Sequence, residues 1–95
     1  MEVNINKSEL SGFVVDAYGS VRAPIYFDKT SLSSTAKKIF KALAEHALIH
    51  DEYSLGRKEF TKVISEHFSM TKKTLMAVAE LQSNDYIKLS VEGNE

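Results

Sequence analysis

The stretch Ile64-Ser65-Glu66-His67-Phe68-Ser69-Met70-Thr71-Lys72-Lys73-Thr74-Leu75 separates two apolar periodicities and sets two lysines directly after a capping residue. Ahead of the break, Phe60, Ile64 and Phe68 recur at helical spacing with Val63 beside them, which predicts a helix over 57–68. Ser69-Met70 interrupts that run. Thr71 can accept from the first free amides of a second helix, predicted over 71–84. In that helix Leu75, Val78, Ala79 and Gln82 share one side, and Lys72, Lys73, Met76, Ala77 and Glu80 the other. If the two helices pack across the break, Ile64, Phe68, Met70 and Leu75 are the apolar positions placed to pin them together.

Upstream, Thr30 to Ser34 supply capping hydroxyls, and Ala36, Ile39, Phe40, Leu43 and Ala47 recur with helical period, predicting a helix over 33–50. Tyr53 to Leu55 reads as a short strand before Gly56 opens the next helix. The run FVVDAYGSVRAPIYF, residues 13–27, is rich in β-branched and aromatic residues and predicts a β-hairpin around Gly19-Ser20. That turn would set Tyr18, Asp16 and Val14 opposite Val21, Ala23 and Ile25. Downstream, Asn84-Asp85 can close the last helix, with Asn84 suited to the left-handed conformation. A strand over 86–91 follows, Ile87, Leu89 and Val91 facing one way. The first dozen residues are polar without a clear period and read as an arm or short strand, taken as a flexible arm over 1–11. The expectation is one α+β domain over 1–95: an N-terminal β-hairpin, a three-helix core and a short C-terminal strand.

A 95-residue chain buries only about 60–65% of its unfolded surface, which leaves little core for an enclosed substrate pocket. With no cysteine, a disulfide framework and a thiolate metal site are both excluded. No apolar run approaches a membrane span, because Glu45 and His46 interrupt the richest stretch, and MEVNINKSEL has no leader-like apolar region. A cytoplasmic location without membrane association is expected. The net charge of −1 hides strong blocking. Lys29, Lys37, Lys38 and Lys41 stand with no acid among residues 29–41, and Arg57, Lys58, Lys62, Lys72 and Lys73 outnumber Glu59 and Glu66 between 57 and 74.

The 64–75 stretch resembles the helix-turn-helix pattern of winged-helix DNA-binding proteins: spaced apolar residues, a small-residue turn, a hydroxyl cap and a Thr-plus-apolar pair. Ser69 stands where that family often has glycine. SLSSTAKKIFKALAEH, residues 31–46, resembles the first helix of the same architecture, and Leu81 to Ile87 its last helix end and following strand. RAPIYFDKTSLSSTAKKIFKAL, residues 22–43, is similar to the lead-in of plasmid and phage replication initiators. The resemblance implies a winged-helix-like core in which the helix starting at Thr71 enters a DNA groove. After Val91 only Glu92-Gly93-Asn94-Glu95 follows, a turn with no return strand, so the wing is expected to be truncated, with sheet pairing taken over by the N-terminal hairpin or a second copy.

Lys72, Lys73 and Thr74 are the expected contacts to phosphates and base edges, with Thr71 as the cap. Lysines at a helix start oppose the macrodipole, so they do not serve stability. Met76 and Ala77 are candidates to touch thymine methyls. Arg57, Lys58 and Lys62, on a helix that would cross the backbone, are candidate phosphate contacts, although Lys62 and Glu66 are also spaced for a helical pair. Lys37 and Lys41 repel one another at helical spacing, and the sequence shows no internal partner for them. His46 and His50, four apart, have the spacing of paired metal ligands, with Asp51, Glu52 and His67 as conceivable additions. No complete ligand set results, and a helix end favours histidine for its own sake, so neither metal nor cofactor is expected.

The expected protein is a non-enzymatic, homodimeric binder of double-stranded DNA, acting in transcriptional regulation, plasmid or phage replication, or partition. The alternative is a protein-binding module that docks on a polymerase or replisome subunit without touching DNA.

Overall fold

Glu2–Ile5 forms β1, the middle strand of a three-stranded antiparallel sheet, in the computed structural model, which describes residues 1–91. β4 (Ser54–Gly56) pairs on one side, with Val3 opposite Leu55, and β5 (Ile87–Ser90) on the other, with Val3 opposite Leu89 and Ile5 opposite Ile87. Residues 1–11 are therefore not a flexible arm. Val3 and Ile5 point into the core, while Glu2 and Asn4 face outward, the alternation of a half-buried strand. On the outward face the Ser54 hydroxyl donates to Asn4 Oδ1 (2.8 Å) and also bonds Glu2, and Asn4 Nδ2 donates to Ser90 Oγ (3.3 Å). A 3-10 turn at Lys7–Leu10, capped by Asn6, leads away from the strand and buries Leu10.

The predicted hairpin is shorter than its sequence. Only β2 (Val14–Val15) and β3 (Val21–Arg22) pair, with Val15 opposite Val21. The turn is wider than two residues because the Asp16 carboxylate accepts from the amides of Tyr18 (2.8 Å) and Ser20 (3.0 Å). Gly19, at φ +80, closes the loop. Pro24 then starts α1 (Ile25–Asp28), a single helical turn where the sequence suggested continued strand. Gly12, at φ +86, lies so near the Pro24 ring that a Cβ there would stand 3.0 Å from it.

The three long helices follow the expected order. α2 (Ser34–His50) is capped by Ser33, whose Oγ accepts from the Ala36 amide, and ends at Asp51 in the left-handed conformation. α3 (Arg57–Ser65) stops one turn earlier than predicted, and α4 (Lys72–Ser83) is capped by Thr71. Asp85, not Asn84, takes the left-handed conformation that turns the chain into β5. The Asn6 amide donates to the Asp85 carbonyl (2.7 Å), tying the end of β1 to that turn.

Phe13, Phe27, Phe40 and Tyr86 form an aromatic cluster, the Phe40–Tyr86 centroids 4.9 Å apart in an edge-to-face arrangement. Burial pushes the Tyr86 phenol above its ordinary value of 10.0, and the Glu9 charge adds to the shift. The remainder of the core joins Ile39, Leu43 and Ala47 of α2 to Leu55, Ile64 and Leu81. The molecule is thus a compact α+β fold, with four helices and two small antiparallel sheets among the described residues. Residues 92–95, read as a turn without a return strand, lie outside the described residues. The partner of β5 is β1 and not the expected 13–27 hairpin, whose strands form a separate two-stranded sheet.

Candidate nucleic-acid interface

Thr71, Lys72 and Lys73 are exposed at the start of α4. The Thr71 hydroxyl accepts from the Thr74 amide, and Thr74 returns its own hydroxyl to the Ser69 carbonyl (2.7 Å). This exchange fixes the phase of the helix. An α-helix offers no internal acceptor to its earliest amides, so those of Lys72 and Lys73 stand at the positive end of the macrodipole. No acidic residue lies in the first turn, and among the described residues neither lysine forms an ion pair.

The face of α4 differs from the expected one by about one residue, or roughly 100° of rotation. Thr74, Ala77, Val78 and Leu81 are buried, so Thr74 and Ala77 are not free to touch a base edge. Ala77 reaches only the floor of an open depression that it shares with Ser33, Thr35, Lys72, Lys73 and Met76. Thr74 serves the turn instead. Leu75 and Met70, expected to pin the helices, are 55% and 45% exposed, and Met76 is 62% exposed. Of the four pinning positions Ile64 is fully buried and Phe68 half-buried. α4 packs chiefly on α2, and its direct packing on α3 is slight.

Glu80 faces α2. Its carboxylate accepts from the Ser33 amide and from the Ser33 hydroxyl, each at 2.8 Å. The charge that would repel phosphate along α4 is thereby engaged at the positive start of α2. Sequence reasoning had no way to pair residues 33 and 80, which adjoin only after the helices pack.

Arg57, Lys58 and Lys62 are all exposed and line one shallow depression with Thr61 and Ser65. Lys62 and Glu66 form no ion pair, although the Glu66 amide still donates to the Lys62 carbonyl (3.1 Å) and keeps the two one helical turn apart. The other basic cluster is different. Lys41 pairs with the Asp28 carboxylate (3.3 Å) and Lys37 donates to the Asp28 carbonyl (2.7 Å), so both have the internal partner that the sequence concealed. α1 supplies it.

Comparison with known protein families, curated proteins and solved structures finds no match. No helix among the described residues is long and apolar enough to cross a membrane.

Proposed function

We propose that this domain binds double-stranded DNA through the first turn of α4, with Thr71, Lys72 and Lys73 at the phosphates, Met76 toward a groove, and Arg57, Lys58 and Lys62 on the flanking backbone. The observation that carries the reading is the pair of exposed, ion-pair-free lysines at the start of a twelve-residue helix with no acid in its first turn. The placement opposes the macrodipole and serves no internal contact, which is understandable if the counter-charge comes from a polyanion. The order α2, β4, α3, α4, β5 agrees with the winged-helix resemblance, and β1 supplies the pairing that a return strand would give β5. Transcriptional regulation, plasmid or phage replication, and partition are the roles this reading admits. It includes a homodimer, because one short helix reads few base pairs and a second copy doubles the contact.

The test is fluorescence anisotropy on a random duplex pool across a salt series. Replacing Lys72 and Lys73 by alanine should weaken binding and reduce the slope of log affinity against log salt by about 1.8, which is the release of two phosphate contacts. An unchanged slope removes α4 from the mechanism. The alternative reading, a protein-docking module on a polymerase or replisome subunit, is favoured by one feature, the exposed Met70, Leu75 and Met76 around the same lysines. It predicts no duplex binding even at low salt.

A further inference from the structure

His46 lies on α2 one turn before its end, with its side chain 15% exposed. Its Nε2 is buried and has no hydrogen-bond partner. Two carboxylates converge on that nitrogen: Glu59 Oε1 at 3.6 Å and Glu52 Oε1 at 3.8 Å. Both separations exceed a hydrogen bond, and a buried polar atom without a partner is costly. Among the described residues no lysine or arginine pairs with either glutamate.

The three donors lie within 4.8 Å of one another. Atoms bound about 2.1 Å from a tetrahedral ion stand about 3.4 Å apart, so the two nitrogen-to-oxygen distances are close to a ligand-to-ligand edge. The backbone sets the convergence. Asp51, left-handed at φ 51, ends α2 and turns the chain back, the Glu52 amide donating to the Ala47 carbonyl (3.1 Å). Gly56 then opens α3 and brings Glu59 into its first turn. The histidine spacing in the sequence pointed to His50, whose ring lies 4.6 Å from that of His46 but which is not among the converging donors. Neither Asp51 nor His67 is among them.

We propose that His46, Glu52 and Glu59 bind one divalent transition-metal ion of the zinc type, fastening the end of α2 to the start of α3. One imidazole nitrogen and two carboxylates suit that class, whereas calcium and magnesium favour all-oxygen shells. A dication also balances the two carboxylates while giving the buried nitrogen a partner. With three protein donors the ion keeps a position open to water. This site stands independently of the DNA reading.

Untagged full chain is titrated with zinc chloride by calorimetry, with thermal melts in parallel. A single equivalent should bind and raise the melting temperature. Glu59→Gln, at a half-exposed position that leaves the core intact, should weaken binding by at least about 10-fold, and His46→Ala should do the same. His67→Ala, at an exposed histidine, should bind as the parent does. Absence of zinc binding by the parent, equal binding by Glu59→Gln, or loss of binding in His67→Ala instead would each overturn the proposal. Retained binding by Glu59→Gln decides the matter even if His46→Ala does not fold.

Discussion

Lys37 and Lys41 on α2 and Lys72 and Lys73 on α4 look alike in sequence, each pair being part of a basic segment beside a helix start. The structure separates them. Asp28 engages Lys37 and Lys41 through its carbonyl and carboxylate, whereas nothing among the described residues pairs with Lys72 or Lys73. What distinguishes a cation available to an outside anion from one that holds the fold is its internal partner, and that partner comes from a helical turn the sequence read as strand. Alanine at Lys72 and Lys73 should therefore reduce duplex affinity more than alanine at Lys37 and Lys41.

The contrast can be broken most severely by removing the frame that carries both pairs. Phe40 is fully buried between Phe13, Phe27 and Tyr86, so Phe40→Ala should cost about 3–5 kcal/mol in urea unfolding. A loss below about 1 kcal/mol would mean that the aromatic cluster does not hold α1 against α2. Asp28→Asn sharpens the contrast instead. Removal of an exposed ion pair should change stability by about 1 kcal/mol or less, while freeing Lys41 should steepen the salt dependence of duplex binding. An unaltered slope would show that α2 stays remote from the DNA however its charges are partnered.

The smallest expected effect lies at the exposed turn of β2 and β3. Amide hydrogen bonds from Ser20 and Tyr18, followed by the Arg22 charge, hold the Asp16 carboxyl below its ordinary value of 3.8. Since the folded-state value is depressed, the contribution of Asp16 is present above pH 3.8 and is lost as pH falls through the lowered value. Asp16→Asn should flatten that part of the acid-unfolding curve, and urea midpoints measured on either side of pH 3.8 would reveal it.

Helix caps were legible because they are local: Ser33 and Thr71 each cap an amide three residues ahead, as their position before an apolar run suggested. The α2 periodicity was legible too, since it repeats over several turns. The phase of α4 was not legible, because its apolar residues do not mark one face. Leu75 outweighs Thr74 in apolar bulk, yet Thr74, whose hydroxyl bonds the Ser69 carbonyl, is buried with Ala77 while Leu75 is exposed; Met76 lies outward as expected. β1 offered only the alternation of Val3 and Ile5, too short to outweigh its polar neighbours. Lys72, Lys73, Arg57, Lys58 and Lys62 stood out in the sequence by charge, by their helix positions and by the helix-turn-helix resemblance, and all five are exposed. The Glu80 contact joins residues 47 apart, and the Asp28 contacts and the place of Glu59 beside His46 cross from one element to another, so no helical spacing rule reaches them.

β4 and β5 do not touch each other; each is joined to the sheet only through β1. Asn4 and Ser90, bonded to one another, stand 86 positions apart. During synthesis β1 can meet β4 once residues 54–56 have emerged, but its other edge stays open until residues 87–90 follow, by which time the intervening helices have had the opportunity to form. The arrival of β5 thus acts as a latch on the helices that lie between the two strands in sequence.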